Sequence, residues 1–338
     1  MPDEEVPEAS GTPDVNRGPT YPFNDEFTSN RREDVLRFYE HFRSQNELIT
    51  WMRNRPSGRA VITEVEGRKD LIVVIPTADI QGPMATRCRA EIFKGQHIIF
   101  VESGRIDPFF NYARNVNTGV RRALEHNPKW IIVSNDDMVQ RDSIEVLIDS
   151  LAGLDDGVDV VYGPASVSQH QVQIGRPRPL VRAVLTALYS IRYPNAAALL
   201  ALEARRGPVL GLENWFIWNT PGGIGRFVNP LMYAPNPDCR PFLNSGSFGV
   251  YSSRIVKEWT QPPRSWLDET YINAYEDFDL ALRLDRAGAR VGLIKFEIGT
   301  IGGASLGGKA SVRQLREFAG LVYFNYKLRS GLMNVSMC

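Results

Sequence analysis

Trp130-Ile-Ile-Val-Ser-Asn-Asp-Asp-Met-Val-Gln140 is the stretch whose reading decides the fold. It opens on four apolar residues without polar alternation, three of them β-branched, which is the pattern of a strand covered on both faces, as in a parallel sheet. The run then breaks into Ser134, Asn135, Asp136 and Asp137. In an open α/β sheet, ligands bind beyond the carboxyl ends of the strands, so these polar residues would stand where a substrate stands. The competing reading is a solvated strand-to-helix turn, with Asp142 or Ser143 capping the helix that follows.

Working outward, residues 71–76 and 97–101 read as two earlier buried strands and 158–162 as a later one, with helices expected at 111–127 and 141–151. Strands alternating with helices at this spacing predict an α/β fold with a doubly wound, mostly parallel sheet. None of its strand-to-helix turns carries G-x-G-x-x-G or G-x-x-x-x-G-K, which argues against a dinucleotide-binding domain and a phosphate-loop hydrolase.

The flanks differ in texture. Residues 1–30 are acidic, proline-containing and poor in large aliphatics, a composition expected to stay disordered. Residues 31–68 are expected to form an N-terminal helical segment, since 31–54 carries apolar residues at helical spacing. The main α/β domain is placed at 69–308, with residues 164–240 as a long insertion, and a C-terminal helix at 309–338. Within the insertion, 180–205 reads as an ordinary amphipathic helix, with peripheral contact to a membrane surface as the second reading. Residues 243–251 are expected to return as a strand, followed by a helix whose first turn crowds Glu276, Asp277 and Asp279, acids that the helix dipole favours there. Residues 290–294 read as another strand and 299–308 as a glycine-rich loop.

Composition narrows the class. The 338 residues are 43% hydrophobic and 23% charged, ordinary for a globular protein, and 39 basic residues balance 39 acidic ones. Nothing global therefore points to nucleic acid or an anionic membrane. Cys88, Cys239 and Cys338 are far apart, and His41, His97, His126 and His170 are equally scattered. Neither zinc nor a disulfide framework is expected, and each histidine reads as a surface or packing residue rather than a ligand. The chain starts without a basic, apolar leader and has no run of 18 apolar residues, so a cytoplasmic location is expected.

Taken together, the acidic patches fall in an order that resembles the GT-A-fold glycosyltransferases, especially the inverting family-two enzymes and their rhamnosyltransferase-like branch, over residues 69–305. Val73-Val74-Ile75-Pro76-Thr77 is similar to the first strand, and Glu102-Ser103-Gly104 stands where the family often has an acidic pair before Gly. Ala113-Arg114-Asn115 with Gly119 resembles the A-R-N-x-G helix start. Asn135-Asp136-Asp137 resembles the D-x-D motif in an Asn-first form, and Glu276-Asp277 with Asp279-Leu280 and Arg283-Leu284 resembles E-D-x-D-L-x-x-R-L.

The resemblance implies transfer of a sugar from a nucleotide-sugar donor to an acceptor hydroxyl with inversion, assisted by a divalent metal, manganese or magnesium. The acceptor, whether glycan, lipid or protein, is not specified. Asp137 is the implied metal ligand, with Asn135 and Asp136 supporting it or the ribose. Thr77 and Glu102 are assigned to the nucleoside, and Arg114 and Arg283 to the diphosphate or to internal ion pairs. Asp277 is the implied general base, and Glu276 and Asp279 compete for the same proton. One position departs from the pattern: the family's His before Ile-Gly-Gly is Thr300 here, which implies a metal held mainly through Asp137 and the donor. The rival readings are a nucleotidyltransferase, for which residues 78–82 are a poor loop match, and a noncatalytic nucleotide-sugar-binding protein of the same fold.

Overall fold

The apolar runs of the sequence become neighbouring strands whose side chains are buried on both faces. The computed structural model describes residues 21–333 apart from 106, 164–169, 179–183, 185–186, 188–193, 220–232, 237–238, 263, 273 and 302–309. In chain order these residues form α1 (Asn24–Thr28), α2 (Arg32–Glu40), α3 (Gln45–Asn54), β1 (Val61–Val65), β2 (Arg68–Thr77), α4 (Pro83–Arg87) with a π-helical turn (Cys88–Ile92), β3 (Gln96–Glu102) and α5 (Tyr112–Glu125). Next come β4 (Trp130–Ser134), β5 (Met138–Gln140), α6 (Ile144–Ala152), β6 (Val160–Tyr162), β7 (His170–Pro177), α7 (Pro194–Arg206), β8 (Trp215–Asn219) and β9 (Tyr233–Pro235). The chain then runs through β10 (Phe242–Asn244), β11 (Phe248–Ser252), α8 (Ser253–Trp259), α9 (Glu276–Arg286), β12 (Val291–Leu293), β13 (Ile298–Thr300) and α10 (Ala310–Arg329).

The central sheet has seven strands in the order β1-β3-β2-β4-β11-β6-β12. β3, β2, β4, β6 and β12 point one way, and β1 and β11 run against them, so the α/β sheet is large, mixed and mostly parallel. α5 lies close on β2 and β3 because its residue 119 is glycine. A Cβ there would collide with Val74 Cγ1 and stand 2.9 Å from Val101 Cγ2.

Several boundaries differ from the sequence reading. The disordered tail expected over 1–30 is already ordered by residue 21: Tyr21 donates its hydroxyl hydrogen to the Trp51 carbonyl at 2.8 Å, and Phe27 of α1 is buried. Residues 1–20 lie outside the described residues. The helical segment 31–68 ends in β1, an antiparallel edge strand. The single strand expected at 243–251 is two strands in different sheets, because the chain turns at 245–247, where Gly246 has φ 50°. The helix expected at 180–205 is described as α7 over its second half.

The insertion is not a free excursion. β10, β7, β8 and β9 make a small antiparallel sheet. Its Val172, Ile174 and Phe242 share one core with Phe38 of α2, Leu48 of α3 and Phe318 of α10. Among the described residues no helix is long and apolar enough to cross a membrane.

Tyr39 joins α2 to α10 by an unusual bond. Its hydroxyl donates to the Leu315 carbonyl at 2.5 Å and accepts from the Ala319 N–H at 3.0 Å, inserting itself where an i→i−4 helix bond would close. Burial drives the Tyr39 phenol well above its ordinary pKa, so it remains a donor. Tyr39→Phe is expected to cost about 1–3 kcal/mol, the price of orphaning buried polar groups. Urea unfolding measures it; an unchanged midpoint would mean that the helix bond re-forms without loss.

Candidate functional site

β2, β3 and β4 end side by side, and their carboxyl ends carry the first polar residues after three apolar runs. Thr77 pairs with Glu102 in the β2–β3 ladder. The Thr77 hydroxyl donates to Asp136 Oδ2 at 2.7 Å, and the Cys88 thiol donates to the Asp136 carbonyl at 3.3 Å. Burial, then Asp136, push the Cys88 thiol up to about 12, which keeps it a donor rather than a nucleophile. Burial raises the Asp136 carboxyl too, and neighbouring Asp137 adds to the rise, while the Thr77 bond opposes it.

Asp137 is 5% exposed and faces the late loop. β13 pairs with β5, setting Thr300 against Met138. The Ile301 N–H donates to the Asp137 carbonyl at 2.9 Å, and Thr300 Oγ1 lies 3.4 Å from Asp137 Oδ1. Thr300 is therefore beside the acid that the sequence reading chose as metal ligand. Residues 302–309 of the glycine-rich loop lie outside the described residues.

The second acidic group arrives on α9. Its N-cap, Tyr275, is in the left-handed region at φ 74°, a strained conformation for an aromatic residue, and it turns the chain directly into Glu276 and Asp277. α10 holds this turn at close range: a Cβ on Gly320 would stand 2.5 Å from the Ala274 carbonyl oxygen and 2.9 Å from the Tyr275 ring. Asp277 stands in the first turn of α9, where backbone N–H groups, that of Phe278 among them, favour its charged form, and its Oδ2 accepts from Asn244 Nδ2 at 2.9 Å.

Tyr112, at the start of α5, connects the two groups. Its hydroxyl donates to Asn135 Oδ1 at 2.9 Å. Burial, followed by the charges of Glu276, Asp277, Tyr251 and Asp136, drives its phenol well above the ordinary value. The acids of β4's end and of α9 thus both act on one hydroxyl. Tyr251 belongs to the same cluster, sharing a 2.6 Å hydrogen bond with Ser245.

The two α9 acids are unequal. Burial first, then Asp277, hold Glu276 far above the usual carboxylate range, and its Oε2 is buried without a hydrogen-bond partner. Burial also raises Asp277, but the Asn244 N–H favours its charged form. Both carboxyls are raised, Glu276 to about 8, and Asp277, the partly exposed member, is the one whose charged form a side-chain hydrogen bond favours.

Asp279 and Arg283 do not join this cluster. Arg283 Nε donates to Asp279 Oδ2 at 2.8 Å and its Nη2 to the Trp266 carbonyl at 2.9 Å, while Lys327 Nζ sits 2.7 Å from Asp279 Oδ1. Both are committed to a buried ion-pair network. Glu102 stays at the β3 end, accepting from the Ile80 N–H at 3.3 Å and lying 3.6 Å from Arg59 Nη2. Arg114 Nη1 is buried without a hydrogen-bond partner, so the internal ion pair open to it in sequence is not found among the described residues.

No ion pair within 4.0 Å neutralises Asp136, Asp137, Glu276 or Asp277 among the described residues; Arg87 acts on Asp136 only at longer range. Adjacent, largely buried carboxylates without ion pairs fit a hard divalent cation, which takes oxygen ligands. Asp137 and Asp136 would supply them.

Sequence reasoning missed Tyr112, Asn244, Ser245 and Tyr251. Tyr112 stands directly before the Ala113-Arg114-Asn115 motif and Asn244 and Ser245 in a small-residue stretch, but nothing local marks them as facing acids. Compared with family models, curated proteins and solved structures, the chain shows no match.

A carboxyl whose pKa is raised by folding carries no penalty below its unfolded value, about 4.5 for Glu276, and a growing one as pH climbs from there through neutrality. Glu276→Gln removes it, so the stability of the variant relative to wild type is expected to rise over that range. Denaturant titrations at several pH values test this; a difference that stays flat would show Glu276 to be ionised in the fold.

Proposed function

We propose that this chain is a GT-A-type inverting glycosyltransferase that moves a sugar from a nucleotide-sugar donor to an acceptor hydroxyl. The observation that carries the reading is the approach of Asp136, beyond the end of β4, and of Glu276 and Asp277, at the start of α9, to Tyr112, with Asp137 next in the chain at the carboxyl ends of parallel strands. Acids brought together from positions about 140 residues apart, without ion-paired partners, are costly to bury and are typical of sites that bind cations or move protons.

The residues divide the work by place. Thr77 and Glu102, at adjoining strand ends, would receive the nucleoside. Asp137, supported by Asp136 and by the Thr300 hydroxyl, would hold manganese or magnesium, which supplies Lewis-acid stabilisation of the departing diphosphate. Asp277 takes the acceptor hydroxyl's proton as that oxygen bonds to the anomeric carbon and the carbon–phosphate-oxygen bond breaks on the opposite face. Asn244 keeps Asp277 oriented and ionised, while protonated Glu276 spares the pocket a second adjacent charge.

Nucleoside diphosphate release from a panel of sugar nucleotides, with and without manganese, is the primary test. Asp277→Asn is expected to keep donor binding and lose transfer by at least about 100-fold. Activity within a few-fold of wild type would remove Asp277 as the base. Asp137→Ala is expected to weaken manganese-dependent donor binding without unfolding the chain; equal donor affinity at matched manganese would take Asp137 out of the metal site. Because Thr300 already stands beside Asp137, Thr300→His should tighten manganese binding in calorimetry, an imidazole being a far better ligand than a hydroxyl. No gain would place Thr300 outside the metal shell.

A further inference from the structure

At the opposite end of β3 from Glu102, three side chains meet that lie far apart in sequence. Glu64 comes from edge strand β1, His97 is the second residue of β3 and His126 is the C-cap of α5. His97 Nε2 stands 2.7 Å from Glu64 Oε2 and His126 Nε2 stands 2.9 Å from the same oxygen. With the five residues from His97 to Glu102 rising about 3.3 Å each, the cluster is roughly 16 Å along the strand from the acids described above.

We propose that Glu64, His97 and His126 form a zinc site that pins edge strand β1 to β3 and α5. Their ligand atoms, two imidazole nitrogens and one carboxylate oxygen, all lie within 4.8 Å of one another. This is a donor set that zinc takes with a fourth position left to water. Glu64 Oε1 is used by Arg122 Nε at 2.6 Å, so Oε2, the oxygen that both imidazoles already face, is the one that would turn to an ion held between them. His97 is fully buried, whereas the Glu64 and His126 side chains keep 19% and 17% of their surface, which gives an ion a way in and a water a place to stay.

The state of His97 supplies a second observation. If Nε2 carries the proton and donates to Glu64, Nδ1 becomes a buried acceptor; it has no hydrogen-bond partner, and the Glu66 carboxylate lies 3.6 Å away. Two acceptors then face each other. With a cation at Nε2 the proton moves to Nδ1 and points at Glu66, the carboxylate–histidine–metal arrangement that orients ligands in zinc sites. The location suits a structural ion, since an edge strand with exposed Val61 and Ile62 gains most from a tie to its neighbours.

Zinc titration of the chelator-treated full chain by calorimetry and thermal unfolding tests this, with cobalt(II) as a spectroscopic probe. One tight equivalent is expected, with visible cobalt bands of a low-coordinate site and a higher melting temperature in zinc. Glu64→Gln and His126→Gln should each weaken binding by at least about 100-fold, beyond the loss typical of outer partners. Asp137→Asn should retain the equivalent, which separates this site from the acids at the strand ends. Melting in chelator close to that of wild type would show that the two variants fold. The proposal is overturned by wild-type protein that melts alike with and without zinc, by either variant binding as wild type does, or by loss of the equivalent in Asp137→Asn alone.

Discussion

The antiparallel ladder between β4 and β11 is the constraint on which the candidate site depends. It sets Phe248 opposite Ser134, and the Asn135 N–H donates to the Ser247 carbonyl at 2.9 Å, so the turn that precedes β11 is tied to the acids that follow β4. That turn carries Asn244 and Ser245, and through Asn244 it reaches Asp277. A slip of one residue in this ladder would turn every side chain of β11 to the other face and take both groups out of reach. The buried Phe248, Val250 and Tyr251 fix the register by filling the cores on the two sides of the sheet.

Holding carboxylates together without ion pairs works against the fold, and the surrounding framework is correspondingly firm. Lys327 of α10 lies 2.9 Å from Asp268 Oδ2 and 2.7 Å from Asp279 Oδ1, and Arg283 completes the network. Burial would raise Asp268, yet the Lys327 ammonium with the Thr270 and Tyr323 bonds holds it down at about 2. Removing one member of such a buried set strands a charge at a cost of about 3–5 kcal/mol. These contacts lock α9 to α10 just beyond the acid pair, which explains how Tyr275 can be kept in a left-handed conformation where Glu276 and Asp277 begin.

The two ends of the sheet differ in how they treat charge. At the carboxyl end, Asp136, Asp137, Glu276 and Asp277 stand without ion-paired partners among the described residues, although Glu102 faces Arg59. At the other end, Glu64 gathers Arg122, His97 and His126, and although burial would raise its carboxyl, their hydrogen bonds hold it at about 2. The first arrangement gathers oxygen acceptors, and the second sets two imidazoles and a guanidinium around one carboxylate.

Local chemistry made much of this legible in the sequence. Unalternated apolar runs mark buried strands wherever they occur, so β2, β3 and β4 and the acids at their ends follow from periodicity and from where the apolar run stops. Acids at the start of α9 follow from composition and spacing in the same way. Which acids meet did not follow. Asp279 stands two residues from Asp277 and is sealed in an ion-pair network, because successive helical residues point to different faces. The reversed direction of β11, the approach of Thr300 to Asp137, and the meeting of His97 with His126 and Glu64 rest on pairings between distant parts of the chain. Such contacts are set by the packing of whole strands and helices against loop-closure entropy, a balance that no short window of sequence contains.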